Sequence, residues 1–337
     1  MDDRHVDADV VVVGGGPAGA AAAISCAKRN LRVILLERDV SGRERPGETL
    51  HPGAEPLLAQ LGVADRLPAV AGTRHAGIWT SWCGPAKFEP FGADADGPWS
   101  GFQAWRADFD ALLLARAREL RVDVRQPAVV TGMLQGGGVT TSSGSIAARM
   151  VVDATGRSRW LGRLLGLRSP ARSPPLIVRF GYARGSCPAR DAAPAIVGDS
   201  TGWTWTAHVK PSVYQWTRLC FDETTGADWM PEEFRGLTPL AKARGADVTW
   251  RMAEQTAGPG WFMVGDAAAT LDPTSSHGVL KALMSGMMAA HLTAAIVEGK
   301  SPAEETATAY HHWLAGWFEA DVERLTAFYR KLGAAGF

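Results

Sequence analysis

Cysteine is scarce in this chain, and no two cysteines are close: Cys26, Cys83, Cys187 and Cys220 form no CxxC pair and no cluster with histidine. That spacing supports neither a zinc site nor a disulfide framework, and no metal is expected. An excess of charge of one sign is also missing, since 35 basic residues are interspersed with 35 acidic ones and the formal net charge is zero. Without a basic face there is no footprint for nucleic acid or an anionic membrane, so the expected partners are small molecules or proteins. Long apolar runs are few. The longest, residues 282–297, is interrupted by Ser285, His291 and Thr293 and falls short of the ~20 residues that span a bilayer. A buried helix is expected there. Residues 1–9 are polar and charged and lead straight into a strand, which leaves no room for a secretory signal, so a cytoplasmic location is expected.

What is present reads as an enzyme core. Hydrophobic residues make up 46% of 337, enough for one large core or two linked ones without staples. Residues 10–13 are all valine, a glycine cluster follows at once, residues 18–29 favour helix, and residues 33–36 form a second apolar run. Strand, turn, helix and strand within about 30 residues make a βαβ unit with parallel neighbours. A helix is expected over residues 56–67, ended by Gly62, and another after Asp108. Strands are expected at 122–124, 139–142 and 150–152. Residues 176–222 change character, with Trp203, Trp205 and Trp216 in β-rich surroundings. The tail from Pro302 to Leu332 has the periodicity of one amphipathic helix or a broken one.

The turn of the βαβ unit reads GGGPAG. Gly14 permits the tight turn, Gly16 lets the backbone approach a pyrophosphate, and Gly19 lets the helix pack on the strand. Pro17 and Ala18 open the helix whose N–H groups face the phosphates. Glu37, followed by Arg38, ends the second strand, where an acid accepts hydrogen bonds from a ribose 2′-OH. A lone GxGxxG arises by accident in a chain with 38 glycines; this setting makes it a dinucleotide site. No second fingerprint is found, so a nicotinamide reductant would visit transiently.

Further motifs carry a family resemblance. Arg45 precedes GET at residues 47–49, Arg106 opens RADFDALL, DATG spans 153–156, and GDAA at 265–268 is followed by DPTSSHGV at 272–279. In this order they resemble the flavoprotein monooxygenases, a group that includes aromatic hydroxylases, flavin-dependent tryptophan halogenases and geranylgeranyl reductases. The resemblance implies FAD as cofactor, NAD(P)H or externally reduced flavin as reductant, and O2 as cosubstrate. It implies cofactor contacts from Arg45, Thr49, Arg106, Asp153, Ala154, Gly156, Gly265, Asp266, Pro273, Ser276, Gly278 and Val279. Independently of it, an acid after a buried strand can accept from polyol hydroxyls, and a helix beginning at Gly278 can stabilise an anionic reduced flavin.

The implied fold is α/β: a discontinuous Rossmann-like FAD-binding domain (1–72, 101–175 and 255–300), an inserted, mainly antiparallel β-sheet substrate domain (73–100 and 176–254), and C-terminal helices (301–337). The implied reaction is hydroxylation of an aromatic ring through a flavin C4a-hydroperoxide. GETLHPG, GWTW and DPTSSHGVLKALMSGMMAA resemble flavoproteins that modify a protein-bound tryptophan during tryptophylquinone maturation, which would make the substrate a tryptophan in a partner protein. TGWTWTAHV also resembles the halogenase GWxWxIP segment. No lysine stands between Glu48 and Ala86, where halogenases use one, His75 falls near that place, and Ser275 replaces their glutamate. On those grounds halogenation ranks below hydroxylation. The same resemblance leaves room for double-bond reduction and for a maturation chaperone with structural FAD. For proton handling the candidates are His277, beside Gly278, then His51 and His75, since imidazole titrates in the useful range.

Overall fold

The computed structural model describes residues 6–40, 46, 48–221, 226, 228–275, 277–334 and 336–337. The βαβ unit forms as the sequence dictates: the strand Ala8–Val13, helix α1 (Pro17–Ala27) and the strand Val33–Leu36, with the two strands parallel. Val10, Val11 and Val12 are fully buried, as a continuous β-branched run covered on both faces requires. Asp123–Arg125 extends the parallel sheet beyond Val33–Leu36, while Gly144–Asp153 and then Trp261–Met263 extend it on the other side of the first strand. Gly138–Thr141 and Val130–Met133 add an antiparallel flap to the near end of Gly144–Asp153.

Helix α2 (Ala54–Leu61) begins two residues earlier than the sequence suggested and stops at Gly62, whose φ of 77° makes the left-handed C-cap. A separate 3-10 turn, Ala64–Ala69, covers the rest of that stretch. Helix α3 (Arg106–Glu119) follows, and then, far along the chain, α4 (Gly278–Val297) and α5 (Ala303–Lys331). The C-terminal helices expected at 301–337 are one unbroken helix of 29 residues.

α4 begins at Gly278, where the sequence places the opening of the helix, and so runs four residues beyond the apolar stretch 282–297 toward its N-terminus. Its 20 residues meet the length and composition needed to cross a membrane. In the fold it lies on α1, backbone against backbone: a Cβ on Gly286 would stand 2.2 Å from the Ala18 carbonyl oxygen. The alanines of α1 and the small residues of α4 are what that approach demands. Ser285, which interrupts the apolar run, accepts a hydrogen bond from Gly265 N–H at 2.9 Å and so ties α4 to the end of the strand Trp261–Met263.

The second large sheet joins Ile177–Arg184, Val213–Cys220, Gly202–Lys210, Ala195–Asp199, Gly77–Trp82 and Lys87–Pro90. It is antiparallel except where Ala195–Asp199 runs parallel to Gly77–Trp82. Trp203 is fully buried and points to α5. Between the two sheets lies a small third one, Thr49–Leu50, Gly101–Ala104 and Ala71–His75.

Candidate functional site

The glycine turn is shaped by contacts that exclude side chains. Gly14 has φ 108°, and a Cβ there would lie 2.4 Å from the Ala154 carbonyl oxygen; one on Gly19 would lie 1.9 Å from the Gly14 carbonyl oxygen. Gly16 differs. Its Cβ position has no neighbour within 4 Å, and it N-caps α1 without a side-chain hydrogen bond. Open space thus adjoins the positive end of an uncapped helix, which suits a pyrophosphate. Glu37 stands at the same turn: one carboxylate oxygen accepts from Gly15 N–H at 2.7 Å, the other from Asp39 N–H at 2.9 Å. A carboxylate has about four lone-pair sites, so it retains capacity for ribose hydroxyls. A second open position is Gly278, at the start of α4, where a Cβ would also meet nothing within 4 Å. The cradle therefore fits FAD.

Other motif residues converge through Arg106. Its guanidinium, 10% exposed, pairs with Asp110 at 3.2 Å and donates to the Pro46 carbonyl at 3.2 Å. Burial opposes its charge, and the carboxylates of Asp110, Glu48 and Asp266 outweigh that cost. Segments near residues 48, 106 and 266 are thus brought within electrostatic reach of each other. Glu48 is itself buried and accepts from Tyr182 O–H at 2.6 Å. Thr49 donates to the Gln103 side-chain oxygen at 2.8 Å, Arg38 lies at the surface 3.8 Å from Asp39, and Pro273 is exposed. Gly265 adopts φ 57°, with Ala18 filling the space a Cβ would need. Gly156 is left-handed and open, and Val279 is half-buried. Arg45, Gly47 and Ser276 lie outside the described residues.

Asp153 departs from expectation. It is fully buried, and its carboxylate accepts from Thr155 N–H and Leu161 N–H, each at 2.8 Å. Its oxygens hold the turn after the strand, so the side chain faces protein and not a cofactor. Ala154 contributes its backbone, through the carbonyl under Gly14.

The three histidines chosen separately from the sequence meet in one cluster. The His51 and His277 rings have centroids 4.9 Å apart, and Phe91 lies 5.4 Å from His51 and 5.5 Å from His75. Gly101 makes room, since a Cβ there would meet both the His75 and Phe91 rings. Nothing in the sequence marked Phe91 or Gln103 as members. His277 is the N-cap of α4, and its carbonyl accepts from Lys281 N–H at 2.8 Å. His51 accepts from Gly53 N–H at Nδ1, 3.0 Å, so its neutral form carries the proton on Nε2. Burial lowers its pKa from 6.5.

His75 is not available as a proton carrier. Nδ1 faces the Gly77 carbonyl at 3.1 Å and must donate; Nε2, 3.3 Å from the Gln103 amide nitrogen, must accept. Thr49 O–H on Gln103 Oε1 fixes that amide's orientation. Burial pushes its pKa down to about 4, against the Gly77 bond, so the ring is neutral and spent. A histidine whose folded pKa lies below its unfolded value stabilises fully above about pH 6.5, and that stability drains as pH falls toward 4. The contribution is on the order of 3 kcal/mol. Urea unfolding between pH 7 and 4 is expected to show this slope, and His75→Gln to flatten it. An unchanged slope would mean that His75 titrates normally.

Comparison with known proteins fits the cradle. Residues 9–41 match the family model described as FAD dependent oxidoreductase. The chain is 27% identical to the 1H-pyrrole-2-carbonyl-(peptidyl-carrier protein) brominase of Pseudoalteromonas luteoviolacea, covering 91% of this chain and 82% of that enzyme. It is also 27% identical to the 1H-pyrrole-2-carbonyl-(peptidyl-carrier protein) chlorinase of Pseudomonas fluorescens, covering 96% and 84%. Among solved structures, a flavin-dependent brominase superposes with a TM-score of 0.84 at 23% identity over 96% of this chain and 87% of the other, a likeness of fold.

Proposed function

We propose that this FAD-dependent oxidoreductase halogenates an electron-rich aromatic ring, using flavin reduced by NAD(P)H or by a separate reductase, and O2. The observation that carries the reading is likeness along nearly the whole chain to two enzymes that halogenate a pyrrole held on a carrier protein. The same likeness supports a substrate presented by a partner protein, in place of the peptidyl tryptophan that the motifs first suggested. When bound, reduced FAD would supply the electrons with which O2 oxidises halide to an electrophilic halogen, which then replaces a ring hydrogen released as a proton. The chain's own part is binding and proton handling. The N-terminus of α1 and the space at Gly16 would hold the pyrophosphate, Glu37 would accept from the ribose, and Arg106 and Asp266, within electrostatic reach of each other, would bind further along the cofactor. Gly278 opens α4 with N–H groups that favour negative charge on the flavin. His51 and His277 move a proton at the edge of that loop.

Hydroxylation is retained as a second reading on one observation. Lys281, the lysine nearest His277 in sequence, is ion-paired with Asp321 on α5 and lies 4.6 Å from the Trp317 ring, while His75, near where a halogenase lysine is expected, is fully bonded. The test supplies FAD, NADH, a flavin reductase, O2 and bromide with pyrrole and indole substrates, free and carrier-bound, and weighs the product. Bromine replacing ring hydrogen is the expected result. An oxygen atom from isotopically heavy O2, with or without bromide, would select hydroxylation. Turnover under strict anaerobiosis would overturn both and point to double-bond reduction.

A further inference from the structure

We propose that Tyr329 is a positioning residue whose hydroxyl fixes residues 272–274, and through them His277 and the first turn of α4, against the flavin. The inference rests on the FAD site proposed above and deepens it.

Tyr329 lies near the end of α5 and is fully buried. Its ring stacks on Trp250 (centroids 5.9 Å, interplanar 22°) and takes the Phe221 ring edge-on at 5.4 Å. Its hydroxyl oxygen accepts from Trp203 Nε1–H at 3.0 Å and lies 2.8 Å from Thr274 Oγ1. Trp250 Nε1–H in turn donates to Asp272 Oδ2 at 2.5 Å, and Thr274 N–H donates to Asp272 Oδ1 at 2.8 Å. Three parts of the fold therefore meet at one buried polar knot: the sheet strand Gly202–Lys210, the end of α5, and the loop that leads into α4.

The knot is demanding because of what it buries. Asp272 is fully buried, and burial pushes its carboxyl up; the donors around it, Thr274, Trp250 and Tyr329, oppose that. Burial and the charge of Asp272 push the Tyr329 phenol well above 10, so it remains a neutral donor. A buried polar group costs free energy unless paired, so each member holds the next in place. α5 has its own apolar anchors in Tyr310, Leu314, Phe318 and Leu325, all buried. The hydroxyl of Tyr329 adds little to that packing. Its bonds go to Trp203 and to the loop, and loop residue His277 follows Thr274 by three positions.

Tyr329→Phe keeps the ring and removes the hydroxyl, leaving Trp203 N–H without its acceptor and Thr274 without its partner. The experiment measures the FAD dissociation constant by quenching of flavin fluorescence, the visible spectrum of bound flavin, and amide hydrogen exchange of residues 272–280 in the FAD-free protein. The expected result is a dissociation constant raised about tenfold, or about 1.4 kcal/mol, an altered flavin spectrum, and faster exchange in the loop with unchanged exchange in the first half of α5. Thr274→Val removes the loop's half of the same bond, leaves the Trp203 bond intact, and carries the test if Tyr329→Phe does not fold; the same three shifts are expected. A lower melting temperature with wild-type FAD affinity, spectrum and loop exchange would show that Tyr329 only packs, and would overturn the proposal. Failure of the wild-type protein to bind FAD would instead remove the FAD site, while the exchange data would still report whether the hydroxyl holds the loop.

Discussion

Gly16→Val is expected to weaken FAD binding by about 100-fold while the FAD-free protein melts within about 1 kcal/mol of wild type. The two effects separate because Gly16 differs from its neighbours. Its φ of −72° is ordinary for any residue, and its Cβ position has no atom within 4 Å. A side chain there strains nothing in the protein; it fills only the space in front of α1, where a phosphate needs close access to backbone N–H groups. Gly19→Ala is expected to do the opposite in kind. Its Cβ would stand 1.9 Å from the Gly14 carbonyl oxygen, so the helix must move off the strand, at a cost on the order of 3 kcal/mol in the absence of any cofactor. FAD titration by visible absorbance and thermal melts of the FAD-free variants check both. Wild-type FAD affinity in Gly16→Val would mean that the open space is not the pyrophosphate site.

That contrast also explains what could be read from sequence. The requirement at Gly14 and Gly19 is a property of single residues in a local turn, so the letters alone reveal it. The parallel core is equally local, since four successive β-branched valines at 10–13, closed at once by a glycine cluster, read as a short strand buried on both faces. The histidine cluster is not local. His51 and His75 come to the same place because the two-residue strand Thr49–Leu50 pairs with Gly101–Ala104, which pairs with Ala71–His75, and His277 joins them from the start of α4; pairings so short and so distant in sequence leave no periodic signal. Phe91 and Gln103 were invisible for the same reason. Motif resemblance located Asp153 and Trp203 without revealing their use: one carboxylate caps a turn, and one indole holds Tyr329. Nor could spacing show that His75 has both nitrogens engaged, because tautomer and bonding partners are set by the fold.

For His51 and His277 the expectation is that alanine at either position lowers aromatic substitution about 100-fold, with FAD still bound, and that the double variant is no worse than the slower single one. The rings are 4.9 Å apart between centroids, close enough to serve one proton path, and residues acting as a unit give grossly non-additive losses. His51 is prepared for that task by its surroundings. Gly53 N–H occupies Nδ1, leaving Nε2 as the exchanging site, and burial keeps the ring neutral to lower pH than a free imidazole. If neutral His51 is the active form, the acid limb of kcat/KM rises through a pKa below 6.5 and disappears in His51→Ala. Losses that multiply in the double variant would mean two independent roles. Wild-type rates in both single variants would move proton handling elsewhere and leave the cluster as packing around the start of α4. Because the test reads rate and pH dependence, not product identity, its outcome holds whether the ring gains bromine or oxygen.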